Sequence, residues 1–229
     1  MSTLNVSKST GVVKILSILA VIAGALFLVV GVTMYAVTSS QLKAQAVTVA
    51  NYNHGADGKV NGAFAGKTVA DPFTALAQIT AIQHHMDQAS ATATGGKADA
   101  QTGVVTGGNA HLTYGTAPSI TLAADGTCKT AVKWTDPAGN GTFTCDAKGT
   151  PVVTGGIQAA QLPGLRSTLQ SGSFLIASLY VSVLAFGVSA MAAGLGVVLI
   201  ILGFAVLKLT APAKVAASAS QDNLVSAAV

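Results

Sequence analysis

The sequence predicts a membrane protein of two transmembrane α-helices with an extracytoplasmic α+β domain in the loop between them. Three observations lead there. Two long apolar runs, 15–37 and 174–207, contain no charged residue, and each exceeds the roughly 20 apolar residues that cross about 30 Å of hydrocarbon. Backbone groups in lipid must be satisfied within the segment, so both runs are expected to be helices. The stretch between them is polar and rich in Ala, Gly and Thr, and it holds both cysteines of the chain.

Residues 1–14 read as a polar N-terminal tail and 15–37 as the first transmembrane helix. Ala44-Gln45-Ala46 has the small-residue pattern of a signal-peptidase site. The preceding apolar run is longer than the roughly 7–15 residues of a signal peptide, so an uncleaved anchor is the preferred reading. Ala20, Gly24 and Gly31 fall near one face of this helix and are candidates for close helix packing.

In the central domain, 38–173, Asp71-Pro72 is a helix-start signal: Asp caps the first turn and Pro suits the first helical position. Phe73, Leu76, Ile79, Ile82 and Met86 follow at spacings of three and four, an apolar stripe on a helix over 72–89. That stripe packs on the domain's strands, lies on the membrane surface or meets a partner. Core packing is the first choice. Residues 90–109 read as loop. Strands are expected within 111–146, at 111–114, 119–123, 130–135 and 141–146, with the last two joined by the turn Asp136-Pro137-Ala138-Gly139-Asn140-Gly141. Trp134 is expected in the core of this small sheet.

Cys128 and Cys145 are expected to form one disulfide across that hairpin, since a cysteine pair in an exported domain reads as a bridge. Residues 164–173 are expected to extend the second span outward as a stalk. The span itself, 174–207, is longer than a perpendicular crossing requires, so it tilts or projects beyond the bilayer. Its small residues fall in rows four apart: Ala185, Ser189 and Ala193; Ala190 and Gly194; Ala192 and Gly196. Such rows let helix backbones approach closely in lipid, and either the first span or a second chain is the partner. Residues 208–229 read as a disordered tail.

Charge sets the orientation. Lys8, Lys14, Lys208 and Lys214 flank the outer ends of the two spans, whereas Lys43 and Arg166 are the nearest basic residues on the loop side. The excess places both termini in the cytoplasm and the loop outside the plasma membrane. The net charge of +4 comes from eleven Lys and one Arg against eight Asp, with no Glu. No basic stripe forms, which excludes nucleic acid as a partner.

No enzyme signature is present. There is no phosphate-binding loop and no Gly-x-Ser-x-Gly elbow. His84, His85 and Asp87 are the one ionisable cluster, but adjacent histidines on a helix project about 100° apart and do not form an i, i+4 metal pair. His54 and His111 have no spacing that links them to it. No cofactor or metal is therefore expected. The spans carry no Asp, Glu, Lys, Arg or His, which argues against a proton or ion pathway. Asn140-Gly141-Thr142 fits a glycosylation sequon of the kind that arises by chance.

The chain resembles a group of two-span membrane proteins of actinobacteria. The residues that carry the resemblance are Val37-Thr38-Ser39-Ser40-Gln41-Leu42 after the first span, Asp71-Pro72-Phe73-Thr74-Ala75-Leu76-Ala77-Gln78, and Ser182-Val183-Leu184-Ala185-Phe186-Gly187-Val188. They cover both spans and the loop helix but not the strands with the cysteines. Members of that group often bear the label of an aromatic ring-opening dioxygenase. That iron chemistry uses two His and a carboxylate with open coordination positions, and no such triad spacing exists here. The uncharged spans, the small-residue helix faces and an exported disulfide-bearing domain, with no catalytic set, point instead to a non-enzymatic accessory subunit of a larger plasma-membrane complex, held through its transmembrane helices by membrane lipid and other membrane-protein subunits. The actinobacterial respiratory assembly of a cytochrome bc complex with an aa3-type oxidase resembles a suitable host. The alternative is a free-standing envelope protein whose exported domain binds wall polymer, lipid or another envelope protein.

Overall fold

The computed structural model describes residues 6–50, 64–99, 104–130 and 132–210. His54, Lys214 and the tail beyond 210 lie outside the described residues. Among the described residues three α-helices carry the chain: α1 Val6–Ala44, α2 Pro72–Ala93 and α3 Leu165–Leu209. Between α2 and α3 the described residues form five short strands: β1 Lys97–Ala98, β2 Val105–Thr106, β3 Lys133–Thr135, β4 Thr142–Cys145 and β5 Pro151–Val153. The chain divides into two compact units, one of residues 1–33 and 188–229, the other of residues 34–187.

Within the first unit, α1 and α3 run antiparallel and pack through glycine. Both helices are long and apolar enough to cross a membrane. Large apolar side chains are exposed along them, among them Leu26, Val30, Met191 and Leu202, a surface water would not favour.

The second unit has two cores. One gathers Leu42, Val49 and Val69 with Ala75 and Ile79 of α2 and Leu179 and Phe186 of α3. The other surrounds Phe143, which is wholly buried, with Ala93, Leu112, Ile120, Ile157, Leu162, Leu165 and Leu169. β3, β4 and β5 form an antiparallel sheet in that order, Trp134 facing Phe143 and Phe143 facing Val153. β1 and β2 form a separate two-stranded ladder.

The helices exceed their expected bounds. α1 extends beyond 15–37 at both ends, α2 runs four residues past 89, and the stalk 164–173 and span 174–207 are one unbroken helix. α2 starts where Asp71 and Pro72 predict. The Asp71 carboxylate accepts from Phe73 N and Thr74 N, and the Thr74 hydroxyl accepts from Asp71 N.

The strand expectations need more correction. Residues 111–114 are turn: Thr113 and Thr116 bond reciprocally through backbone and hydroxyl, a local alternative to a ladder. Residues 119–123 contribute one isolated bridge, Leu122 to Cys128. The loop over 90–109 contains β1 and β2, whose two-residue length leaves no alternation to read. β5 begins on Pro151, which sits at the start of an edge strand and so needs no ladder N–H there. Trp134 packs half-buried at the margin of the core, donating from Nε1 to Thr116 O at 2.9 Å. Phe143 holds the centre.

Candidate functional site

Small residues bring α1 and α3 together. A Cβ placed on Gly24 would lie 2.7 Å from Gly196 O, and one on Gly31 would lie 2.6 Å from both Ala193 N and Ser189 O. A Cβ on Gly203 would sit 2.9 Å from Ser17 O. These separations admit no side chain, so the backbones touch directly. Of the residues singled out by spacing, Gly24, Gly31, Ser189, Ala193 and Gly196 lie in this seam, and Ala20 and Ala185 are half-buried. Ser17 and Gly203 belong to the seam as well. Ser17 turns its hydroxyl back to Val13 O at 2.8 Å.

Ala190 and Gly194 lie elsewhere on α3, on an exposed face shared with Gly187. A Cβ on Gly187 or Gly194 would meet nothing within 4 Å. Beside this row runs an exposed apolar stripe, Val181, Leu184, Val188, Met191, Leu195, Val198 and Leu202 at spacings of three and four, with Phe174 two turns before Val181. It extends over 28 residues, about 42 Å of helix.

The α2 stripe divides in two. Ile79 is buried, and Ile82 and Met86 pack partly buried against core side chains. Phe73 and Leu76 face outward, 68% and 42% exposed. On the same helix the His84 and His85 rings are 6.0 Å apart and tilted by 48°. Burial raises the Asp87 carboxyl above its ordinary range, and the charge of His111 opposes that shift. Among the described residues no three His, Cys or Asp side chains gather at metal-binding distance.

Cys128 and Cys145 form the disulfide, their Cα atoms 6.3 Å apart. The bridge joins the end of β4 to the segment just ahead of β3, where Cys128 N donates to Gly149 O. Its neighbour in the sheet's turn is a polar hub that sequence spacing does not reveal. Asp136, only 1% exposed, accepts from Asn109 Nδ2 at 2.8 Å, Asn140 Nδ2 at 2.6 Å and Asn140 N at 3.2 Å. Burial pushes this carboxyl up, but the donors from Asn109 and Asn140 outweigh it and hold it below the usual carboxylate range. The sequon asparagine is thus committed to the fold.

Arg166, the one arginine of the chain, lies in the first turn of α3 with its guanidinium 4.2 Å from the centre of the Tyr114 ring. Both line a cavity of about 280 Å³ with Ser119, Ser167 and Gln170. The Arg166 Nε is buried without a hydrogen-bond partner. A cation at a helix N-terminus is disfavoured by the macrodipole, and the stacking on Tyr114 offsets part of that cost. The chain matches no protein-family model, no curated protein and no solved structure.

Proposed function

We propose that the chain is a non-enzymatic accessory subunit of a larger plasma-membrane complex, bound through the exposed face of α3. The observation that carries this reading is the length of the apolar stripe. A hydrocarbon layer about 30 Å deep takes about 20 residues of straight helix. Counted inward from Lys14 and Lys208, it ends close to Met34 and Val188. Tyr35 then lies at the interface, where tyrosine is favoured. Phe174, Val181 and Leu184, each about two-thirds exposed, lie about 6–21 Å beyond that edge. A tilt of about 34° would submerge Leu184, but Val181 and Phe174 need more than the 0–40° found for transmembrane helices. Fitting the roughly 34-residue apolar run into the same thickness would need a tilt of about 54°, outside the 0–40° range of transmembrane helices.

A long apolar helix of another subunit, rising beyond the bilayer in the same way, covers the stripe. The row of Gly187, Ala190 and Gly194 admits its backbone closely. The respiratory cytochrome bc–aa3 oxidase assembly is the proposed host, and the domain of residues 34–187 then faces the outside. The test is a mild-detergent pull-down of the tagged full-length chain from its native membrane, with mass spectrometry. Oxidase and cytochrome subunits in fixed ratio are the expected result, lost on Val181→Lys with Leu184→Lys. Recovery of the chain alone overturns it.

A second reading draws on the cavity of Arg166 and Tyr114. In a free-standing envelope protein, this pocket would receive an anionic group of a wall polymer or lipid. A chain recovered alone, with anion binding lost on Arg166→Gln, would favour it.

A further inference from the structure

We propose that the 34–187 unit holds an anionic single-chain lipid, with its phosphate or carboxylate on Arg166 and its acyl chain in a groove between α2 and α3. The inference deepens the second reading above: it rests on the Arg166 cavity taking an anion, and it assigns that anion to a lipid and not to a wall polymer.

Three observations carry it. The first is an uncompensated cation. The Arg166 guanidinium stands 4.2 Å from the centre of the Tyr114 ring, and its Nε is buried with no hydrogen-bond partner. Unmatched buried donors are rare in folded proteins. Among the described residues no carboxylate lines the cavity. Stacking uses the face of a guanidinium and leaves its in-plane donors for an oxyanion, which they grip as a fork. Ser119 and Gln170 line the same cavity and add donors for the remaining oxygens.

The second is an adjoining apolar groove. A cavity of about 370 Å³ is lined by Ile82 and Met86 of α2 and by Ser167, Thr168, Gly172 and Leu175 of α3. His85 is its one ionisable lining residue among those described. Ser167 is common to this cavity and to that of Arg166, so the two adjoin across one small side chain. Taken together they fall within the roughly 300–1,000 Å³ of ligand sites. Arg166 and Leu175 are nine residues apart, about 14 Å along the helix, a path for an extended chain. Every lining residue of both cavities belongs to the 34–187 unit.

The third is that polar groups along this path are already committed. Ser167 Oγ and Thr168 Oγ1 both donate to Gly164 O, at 2.7 and 3.1 Å. Gly172 has no side chain, and Met86 lies against it. A methionine thioether adapts to an irregular apolar guest. A sugar-phosphate polymer laid here would bury hydroxyls without partners, at a cost. An acyl chain has none to bury. A cation at one end and an apolar wall at the other select an amphiphile.

The test uses full-length protein in phosphatidylcholine nanodiscs doped with a lysophosphatidic acid that carries a mid-chain diazirine. After irradiation, crosslinked peptides are mapped by mass spectrometry. A monoacylglycerol with the same chain is the neutral control. Labelling of Ile82, Met86 and Leu175 by the phosphate lipid is expected. It should be about tenfold or more weaker with the neutral lipid and with Arg166→Gln, as loss of a charge-assisted hydrogen bond predicts. Ser171 lines the groove and is exposed, so Ser171→Trp fills the groove without entering a core. It is expected to abolish the same labelling while labelling of Leu26 in α1 persists. Calorimetry with soluble glycerol phosphate reads the anion site alone. Groove labelling that is equal for both lipids and unchanged by Arg166→Gln, or absent altogether, overturns the lipid assignment. If glycerol phosphate still binds and is lost on Arg166→Gln, the anion reading stands. Absence of both groove labelling and glycerol phosphate binding overturns both.

Discussion

Gly24 and Gly196 present their backbones to one another so closely that a Cβ on either would fall 2.6–2.7 Å from the other's carbonyl oxygen. Gly194, two residues away on α3, meets nothing within 4 Å. The pair makes a matched test of the two faces of α3. Gly24→Leu is expected to destabilise the helix pair by about 1–3 kcal/mol or more, as overpacking does, and to lower the unfolding temperature in detergent. Gly194→Leu is expected to leave that temperature unchanged and to weaken co-purification of partner subunits.

Asp136 is the ionisable group on which the sheet's turn depends. Asp136→Ala strips the half-buried Asn109 and Asn140 of their acceptor, at a cost of at most about 1–3 kcal/mol for each donor. Because the folded carboxyl is held below its unfolded value, its contribution is present above about pH 4. It is lost as pH falls through the folded value. Urea denaturation from pH 7 to pH 2 is expected to show a decline in the wild-type chain that the variant lacks.

Asp87 has the opposite sign. Burial raises its folded carboxyl, so its contribution is fully present below the unfolded value of about 3.9 and is lost as pH rises through the folded one. Asp87→Asn is therefore expected to raise the thermal midpoint at neutral pH. The difference should vanish below about pH 4.

The disulfide spans a sequence separation of 17. In the chain-entropy model a loop of that size contributes about 3 kcal/mol. Cys128→Ser with Cys145→Ser is expected to lower the denaturation midpoint by a corresponding amount, and reductant is expected to shift the wild type but not the variant.

How much of this was legible in the sequence follows from the range of each interaction. α1, α3 and the start of α2 are written in contiguous residues, as charge-free runs and as Asp71-Pro72. The division of the α2 stripe is not, because Phe73 and Ile79 are equally apolar and only tertiary contacts distinguish them. Hydropathy likewise cannot separate 174–187 from 188–207, since the core side chains Leu179 and Phe186 have the same apolar chemistry as the exposed Val198. The Asp136 hub joins residues 27 positions apart through Asn109, and no local pattern signals it. The face of α3 that meets α1 was also open at the sequence level, where rows of Ala, Gly and Ser surround the helix.

The rings of Tyr35 and Phe186 lie 4.8 Å apart, at the two ends of the 34–187 segment. Their contact gives that segment the topology of a ring, clasped between α1 and α3. Bringing together the ends of so long a loop costs the free chain roughly 4–5 kcal/mol in the same entropy model, and here the pairing of two apolar helices offsets that cost. A single cut at the exposed Asp125-Gly126 turn would therefore open the ring without releasing either half. Each fragment would keep one helix and one side of the clasp.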